Sequence, residues 1–432
     1  MKSMTALSRE FRSSLSQVLC RIVTLFAFSF CFTVTFSQAF AGDLQTRLNY
    51  DFGSDAEADS LLAYFNSALA ENPDDPTLLR DRAGLLGFMG DMEAAFRDAA
   101  RLIETAPDQA DGYAMMSILH LHSGNPAGAM EYAGKAIELA PDSTAPYTVR
   151  ILAATSLGDY RQALDDCCAV AELEPDNADN YNNMGNLQSQ LGLFDMAVSS
   201  YDRAISMQPD SASYLWNRGL CRMYMGLTDS ALEDFCQAVF LDPSNAEAYA
   251  HRARFYLESE YRDVDLAFQD LDRAIELDPD NPLRYRQRAS AYYYHLNDFE
   301  STIEDMNRAV EVAPLDPEVV HARGIFYSEN GQLELAVEDY DRALELDPCY
   351  THVLLNRGLA IYEMGDIEGS IADFTRAIEM DSTAANAYYY RGAMYELLGD
   401  IERAVSDFES CLRFADDPMV EMYALAALNK YN

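Results

Sequence analysis

One proline recurs along most of the chain at a nearly constant spacing. Its first six copies are 34 residues apart, and the next three follow at spacings of 36, 35 and 34 residues. Ser382 stands where the tenth copy would be. A fixed period of this length indicates a repeat architecture, in which each unit packs on its neighbours instead of joining one central core. The prolines are Pro73, Pro107, Pro141, Pro175, Pro209, Pro243, Pro279, Pro314 and Pro348.

Each period predicts two amphipathic helices. In residues 317–350, apolar or small residues fall at steps of three and four from Val320 to Tyr327, and again from Ala336 to Ala343. Gly331 separates the two halves. Each half is shorter than about 15 residues and is therefore unstable alone, so its apolar face must be buried on a neighbouring copy. Ten full repeats are predicted, beginning at residues 76, 110, 144, 178, 212, 246, 282, 317, 351 and 385.

This pattern resembles the tetratricopeptide repeat, whose 34-residue signature combines aromatic, Leu-Gly, Tyr, Ala, Phe and Pro positions. The second half of the signature is clearest, as in Ala231, Phe235, Ala238 and Pro243. The resemblance covers nearly the whole chain after residue 75. It implies an all-α fold, a tetratricopeptide-repeat solenoid that forms a right-handed superhelix of helix-turn-helix repeats. The match is to a fold and not to an activity.

The N-terminal 41 residues read as a signal peptide. Basic residues up to Arg21 precede the apolar run from Ile22 to Phe36, and residues 39–41 (Ala-Phe-Ala) form a signal-peptidase site. The run is short for a membrane span. Cleavage would leave Gly42 as the mature start, with no stable membrane insertion afterwards. We therefore expect a protein exported to a periplasm or secreted; the alternative is a chain anchored by an uncleaved N-terminal segment.

The remaining chain divides into three parts. Residues 42–75 are predicted to be a degenerate N-terminal capping repeat, because only its second helix is readable, from Phe65, Ala68 and Pro73. Residues 76–418 hold the ten tetratricopeptide repeats. Residues 419–432 are predicted to form a C-terminal capping helix whose outer side is partly exposed.

The charge balance argues against nucleic acid as a ligand. The chain has 71 acidic and 31 basic residues, a formal charge of −40. Residues 1–41 carry four basic residues and one acidic residue, a net of +3, so the remainder carries −43. Such a chain is repelled by phosphate backbones.

One charged pair is built into the repeat. Counting from the first residue of each repeat, position 7 is Arg and position 23 is Asp in the same eight copies. The two exceptions change together: Met116 goes with Tyr132, and Met184 with Ser200. Positions 7 and 23 lie at the same height in an antiparallel hairpin that turns near position 15, so salt bridges within each repeat are expected. The pairs are Arg82–Asp98, Arg150–Asp166, Arg218–Asp234, Arg252–Asp270, Arg288–Asp305, Arg323–Asp339, Arg357–Asp373 and Arg391–Asp407.

Two neighbouring repeats depart from the period. The stretch from Tyr256 to Ala267 has two extra residues and the stretch from Tyr292 to Thr302 has one, both in the turn inside the repeat. The turn glycine is missing in both, and Asn297 replaces it in the second. The pattern is compatible with tolerated length variation in a turn or with a local irregularity in stacking near residues 257–298.

The sequence carries no recognisable catalytic, cofactor or metal motif. The six histidines are scattered without metal-ligand spacing, and no phosphate loop, nucleophile elbow or calcium loop is present. Among the six cysteines beyond residue 41, Cys167 and Cys411 are expected to be packed thiols. A disulfide between Cys221 and Cys236 is an open alternative.

In proteins of the resembled family, the first helix of each repeat lines the concave surface, largely through positions 2, 5, 6, 9, 12 and 13. A known carboxylate clamp of that family uses two asparagines, matched here by Asn186 and Asn217, and three cations, replaced here by Asn182, Glu247 and His251. The clamp is therefore not assigned. The predicted partner-binding residues are Asn182, Asn183, Asn186, Trp216, Asn217, Tyr224, Tyr293 and Tyr294, since amides pair with extended backbone and aromatic rings supply contact area. The alternative is that the rings fill gaps between repeats and the asparagines are solvated.

Together these features favour a non-enzymatic scaffold that binds a peptide or protein partner outside the cytoplasm, with no cofactor. An enzyme, or an enzyme accessory subunit with a site assembled between repeats, is the alternative. Self-association through exposed terminal repeats is a third option.

Overall fold

The computed structural model describes residues 55–415 and 417–431, and these residues are helical with no β-strand. The predicted all-α fold is confirmed. The predicted signal peptide and the first helix of the capping repeat lie outside the described residues. The helices are α1 (Asp55–Glu71), α2 (Pro76–Phe88), α3 (Met92–Thr105), α4 (Ala110–His122), α5 (Pro126–Leu139), α6 (Thr144–Ser156), α7 (Tyr160–Leu173), α8 (Ala178–Gln190), α9 (Phe194–Met207), α10 (Ala212–Tyr224), α11 (Thr228–Leu241), α12 (Ala246–Glu258), α13 (Val264–Leu277), α14 (Pro282–Ala291), α15 (Phe299–Val312), α16 (Pro317–Glu329), α17 (Leu333–Leu346), α18 (Thr351–Glu363), α19 (Ile367–Met380), α20 (Ala385–Leu398), α21 (Ile401–Phe414) and α22 (Pro418–Leu428).

Local sequence explains where these helices start and stop. Asp75 caps α2, its side chain accepting hydrogen bonds from the backbone N–H groups of Thr77 and Leu78, and Pro76 occupies the first helical turn. The turn between the helices of a regular repeat contains a glycine with positive φ, such as Gly331 at φ 76°. That backbone conformation is strained for residues with a side chain, which is why glycine recurs there.

The chain divides into two compact units, the first ending at Asp234 and the second beginning at Phe235, within α11. Inside each unit the two helices of a repeat form a hairpin, as α2 and α3 do, and the second helix packs on the first helix of the next repeat. The first helices of neighbouring repeats also contact each other: α8 contacts α10 in the first unit, and α16 contacts α18 in the second. Successive small cores replace a single large one.

The eight predicted Arg–Asp pairs are all present, and each is bidentate. The Arg Nε donates to one carboxylate oxygen at 2.7–3.0 Å and Nη2 donates to the other at 2.5–2.8 Å. All eight aspartates are buried. The two-point geometry and the burial fix the first helix against the second at one height in each hairpin.

The same arginines also link successive repeats, which the sequence analysis did not predict. The remaining nitrogen, Nη1, reaches position 25 of the preceding repeat in seven of the eight cases. Arg357 Nη1, for example, donates to Asp341 at 2.5 Å, and Arg323 Nη1 donates to Asn307 at 2.9 Å. The other acceptors are Asn66, Asp202, Cys236, Asp272 and Thr375.

In the two repeats without this arginine, apolar packing and uncharged hydrogen bonds take the place of the ionic network. Met116 and Tyr132 lie in one apolar cluster. Met184 packs in another and accepts from the thiol of Cys168, which is position 25 of the preceding repeat, at a sulfur–sulfur distance of 3.6 Å. Ser200 donates to Gln188 at 2.7 Å. At this boundary a sulfur–sulfur contact therefore takes the place of the arginine's link between repeats.

The two irregular turns absorb their extra residues in different ways. After α12, the chain passes through Arg262 at φ 41° before Asp263 caps α13. After α14, residues 292–296 form a single π-helical turn, and Asn297 at φ 53° takes the place of the glycine. A π turn is the usual way to insert one residue without breaking a helix. The turns are thus irregular within residues 257–298, and an irregularity in the stacking of the repeats there stays a prediction.

The cysteines of the described residues are free thiols. Cys167 and Cys411 are buried, as expected for packed thiols, and Cys221 is also buried. Cys236 is exposed and its sulfur lies 3.9 Å from Arg252 Nη1. The alternative disulfide between Cys221 and Cys236 is not formed.

Candidate partner-binding surface

Two of the predicted asparagines are joined across a repeat boundary in the first unit. Asn217 on α10 donates through Nδ2 to Asn182 Oδ1 on α8 at 3.0 Å. Both side chains are half-buried. The hydrogen bond leaves the Asn182 amide N–H groups and the Asn217 oxygen without a partner among the described residues of the first unit.

The same link recurs in the second unit with different residues. Asn356 on α18 and His321 on α16 lie 2.8 Å apart, and they occupy the same repeat positions as Asn217 and Asn182. Burial, with the charges of His352 and Arg286 as smaller causes, lowers the pKa of His321 to about 3, so the neutral imidazole accepts from the Asn356 amide. At these two boundaries a residue at position 5 and an asparagine at position 6 join successive first helices, and part of the predicted asparagine chemistry therefore holds the repeats together.

Asn186 is anchored inside its own repeat. The phenol of Tyr201, fully buried on α9, donates to Asn186 Oδ1 at 2.7 Å. Burial raises the pKa of Tyr201, which keeps the phenol a donor. The Asn186 oxygen is thereby fixed, and its amide N–H groups point away from that bond.

Asn183 lies in the seam between α6 and α8. It lines a small cavity of about 30 Å³ together with Thr148, Ile151 and Cys167. Its side chain is half-buried. Asn183 thus lies between two repeats, near the other asparagines of α8, and faces a small cavity.

The aromatic residues of the first unit differ in exposure. Tyr224 stacks on Phe194 with ring centroids 5.6 Å apart and is still 42% exposed. Trp216 lies on α10 next to Asn217 and is half-buried. These two rings leave apolar surface available on the helix that carries Asn217.

Tyr293 and Tyr294 belong to the second unit, in the π turn that follows α14. Tyr293 packs edge-on against Phe326 at 5.3 Å and against Tyr294 at 5.1 Å. Tyr294 is 45% exposed, and its hydroxyl donates to Glu329 at 3.2 Å. Tyr293 therefore fills a gap between repeats, as the alternative interpretation expected, whereas Tyr294 keeps half of its surface. The predicted role of these tyrosines in partner binding stays a prediction.

Two of the three residues that replace the clamp cations, Glu247 and His251, form a separate polar cluster in the second unit. Glu247 accepts from Arg284 and lies 3.4 Å from His251 Nε2. Arg284 is only 4% exposed, and burial lowers the pKa of His251 to about 4. Sequence reasoning missed Arg284. It could have been found because it places a charge at position 3 of its repeat, and the residue at this position in the other repeats is almost always apolar or small.

A second, more open depression of about 530 Å³ lies at the loop before α8, lined by Glu174, Asn177 and Gln208 among others. The Glu174 carboxylate is already occupied by Thr144, Asn177 and Asn180. Within residues 55–415 and 417–431, no group of three or more histidine, cysteine or acidic side chains is placed to hold a metal ion. Nor does that part of the chain contain a helix long and apolar enough to cross a membrane.

Comparison with protein families gives three matches. Residues 176–363 match the family described as the ETO1 C-terminal domain. Residues 358–399 match a TPR repeat family, and residues 110–143 and 385–418 each match the tetratricopeptide repeat. The last two ranges begin at residues 110 and 385, where the spacing of the sequence also starts a repeat. No curated protein matches the sequence.

Among solved structures, the chain is similar to yeast Tom70, with 17% identity and a TM-score of 0.51 over 91% of this chain and 96% of that one. It is also similar to the APC/C hetero-tetramer Cut9–Hcn1, with 14% identity and a TM-score of 0.40 over 82% of this chain and 76% of that one. A third similar structure is YrrB, described as a TPR protein with an unusual peptide-binding site, with 20% identity and a TM-score of 0.34 over 44% of this chain and 97% of that one. The similarity to Tom70 supports the fold.

Proposed function

The chain is a tetratricopeptide-repeat protein, and from this premise we propose that it binds an extended segment of a peptide or protein partner outside the cytoplasm, as a non-enzymatic scaffold. The repeat family supports the general role of a protein–protein interaction scaffold. The proposed contact surface is the half-buried side of α8 and α10 in the first unit.

One observation supports this surface most strongly: three of its asparagine amides are each held at one end only. Asn186 is fixed through its oxygen by Tyr201, and Asn182 and Asn217 fix each other. Their remaining donors and acceptor are oriented before any ligand arrives. An extended peptide backbone offers the matching groups, one N–H and one C=O per residue. Fixed amides lose little side-chain entropy on binding, which favours affinity.

The neighbouring rings complete the surface. Trp216 and Tyr224 lie on α10, the helix that carries Asn217. Large aromatic side chains contribute much of the binding energy at interfaces because they bury a large area with few rotatable bonds. The surface therefore combines backbone recognition by amides with apolar contacts to partner side chains.

A triple variant tests the proposal. N182A/W216A/N217A removes both members of the asparagine pair together, so that no amide is left without its partner, and N386A removes an exposed amide of α20 as the matched control. Partner proteins captured from the native envelope fraction would be quantified for each variant, and the binding fragment then measured by fluorescence anisotropy. We expect the triple variant to bind at least about tenfold more weakly, roughly 1.4 kcal/mol, and N386A to bind normally. Undiminished binding by the folded triple variant would remove the site from this surface.

The proposed export has its own test. Cleavage of the signal peptide would give a mature chain that starts at Gly42, which N-terminal sequencing of the protein from its native source would show. A chain that keeps residues 1–41 and sediments with membranes would instead support the anchored alternative.

A further inference from the structure

Arg286 on α14 is bonded far less than the other arginines of the first helices. Among the residues that the structure describes, each of those other arginines donates a side-chain hydrogen bond to a carboxylate, as Arg254 does to Glu258 at 2.8 Å. Arg286 makes no side-chain hydrogen bond within the same residues, and its Nη1 lies 3.8 Å from the Glu318 carboxylate. Its side chain is only 24% exposed. A guanidinium has five N–H donors, and leaving them unbonded in a largely buried position costs free energy that a bound ligand would offset.

Tyr350 and His352 carry two more donors near this guanidinium, where α18 begins. Burial, with the charge of Glu318 as a smaller cause, raises the pKa of Tyr350 to about 12, while the positive charge of Arg286 acts to lower it. Both charges therefore act on a phenol that stays protonated. Its hydroxyl makes no hydrogen bond among the described residues. The exposed ring of His352 lies 6.3 Å from the Tyr350 ring, and even a neutral imidazole offers one N–H donor.

His321 on α16 contacts the same group of side chains. Its ring lies 5.2 Å from the Tyr350 ring, and its Nε2 is held by the Asn356 amide at 2.8 Å. Burial, and then the charges of His352 and Arg286, lower its pKa to about 3, so the ring is neutral near pH 7. Three successive repeats thus place a guanidinium, a phenol and an imidazole around one buried, uncharged ring.

From this arrangement we propose that Arg286, together with Tyr350 and His352, binds a carboxylate of an extended peptide or protein segment. A carboxylate accepts two parallel hydrogen bonds from a guanidinium, as the aspartates at position 23 do in this chain. One guanidinium offsets one negative charge. Since the chain beyond residue 41 carries −43, a dianion such as phosphate is repelled more strongly than a carboxylate.

Glu318 competes with such a ligand. Its carboxylate approaches Arg286 from position 2 of α16, but at 3.8 Å the contact is an ion pair without a hydrogen bond. Its side chain is 53% exposed, so it can turn into solvent without unpacking the helix. Because an ion pair with an exposed partner is weak, a ligand carboxylate that forms hydrogen bonds to Arg286 displaces it.

The site belongs to the second unit and uses no asparagine of α8 or α10. This inference therefore does not rest on the proposed peptide surface, and either can fail alone. The bound carboxylate can belong to an acidic side chain or to the C-terminus of a partner, because both present the same two oxygens.

Nuclear magnetic resonance of the full chain with isotope-labelled arginine tests the site, because the signal lost in R286Q identifies the Nε–H group of Arg286. Three short peptides are the probes: acetyl-Gly-Gly-Glu-Gly-Gly-amide, acetyl-tetraglycine with a free C-terminal carboxylate, and acetyl-Gly-Gly-Gln-Gly-Gly-amide, which carries no carboxylate. We expect the first two to shift the Arg286 signal and the glutamine peptide to leave it unchanged. The tighter of the first two identifies the source of the carboxylate.

Four variants then compare affinities through the ring signal of His352. R286Q should bind the carboxylate peptides at least about tenfold more weakly, and E318Q should bind them roughly threefold more tightly because the competing carboxylate is gone. R342Q and E345Q make the same charge changes at an exposed ion pair of α17 and should bind as the native chain does.

A purely structural pair of Arg286 and Glu318 would give a different result. Both R286Q and E318Q would then lower the melting temperature, and no carboxylate peptide would shift the Arg286 signal. That result would overturn the proposal. So would equal affinities of R286Q and the native chain, a weaker affinity of E318Q, or a loss in R342Q as large as that in R286Q.

Discussion

At the scale of single residues, the most informative feature is the arginine at position 7. Its pairing with position 23 could be predicted because the two positions change together along the chain. Its third contact, to position 25 of the preceding repeat, could not, because the acceptor varies from Asp341 to Asn307 to Thr375. An arginine has several N–H donors and can donate to any of these oxygens, so no single residue type marks the position.

This network makes Arg357 a strong test of stability. Removing Arg357 alone leaves the buried Asp373 unpaired and should cost roughly 3 kcal/mol. The double variant R357M/D373S, which recreates the natural combination of Met184 and Ser200, should cost less than R357M and D373S added together. Urea unfolding of the four proteins measures the coupling. Strict additivity would show that the pair contributes no coupling energy.

The buried histidines of the second unit predict a sensitivity to acid. Burial lowers the pKa of His321 to about 3 and that of His251 to about 4, against about 6.5 in an unfolded chain. Because the folded pKa values are depressed, the stability is fully present above pH 6.5 and is lost as the pH falls from there towards 4 and 3. At roughly 1.4 kcal/mol per unit of pKa, the loss at pH 4 should reach a few kcal/mol.

The variant H321Q isolates this effect. Glutamine offers an oxygen to Asn356 but does not titrate, so H321Q should match the native chain near pH 7 and lose less stability on acidification. Unfolding free energies measured between pH 7 and pH 4 decide the point. Equal slopes for the two proteins would assign the acid sensitivity to other groups.

At the scale of helices, size matching between positions 8 and 24 sets how closely each hairpin packs. Gly358 faces Phe374, and an added Cβ would lie 2.7 Å from the ring. Where position 8 is alanine, as at Ala253, position 24 is the smaller Leu271. The repeat period predicted the hairpins. It did not show which side chains pack directly against each other, because that depends on the direction in which each side chain points.

Substitutions at positions 8 and 24 of one repeat test this size matching. G358A should destabilise by roughly 1–3 kcal/mol through overpacking, since the Phe374 ring is fully buried and has no room to shift. The double variant G358A/F374L recreates the Ala253–Leu271 combination and should be more stable than G358A alone. Thermal melting of the three variants gives the comparison. A double variant less stable than G358A would refute the size matching.

The irregular helices show a limit of sequence reasoning. The extra residues near 257–298 were visible as breaks in the period. Their conformations, a longer turn with Arg262 at positive φ in one repeat and a π turn followed by Asn297 in the next, could not be derived from length alone. Extra residues can be absorbed inside a helix as a π turn or in the turn between helices, where added length costs little free energy.

At the scale of the whole molecule, the all-α repeat fold could be predicted from the 34-residue period, because every repeat follows the same local rules. The candidate binding surface was only partly predictable. The amides on α8 and α10 were evident in the sequence. The hydrogen bond between Asn182 and Asn217, however, uses some of their donors and acceptors to join two repeats. The sequence alone does not distinguish an asparagine that binds a partner from one that joins two repeats.

The proposed partner binds the first helices of the repeats at α8 and α10. The most direct measurement is site-specific photo-crosslinking in cells that produce the protein, with p-benzoylphenylalanine in place of Trp216 and, as the matched control, in place of the exposed Phe240 on α11. We predict a discrete adduct with one partner from the Trp216 position and none from the Phe240 position. Adducts from Phe240 alone, or no adduct from the Trp216 position, would contradict the claim.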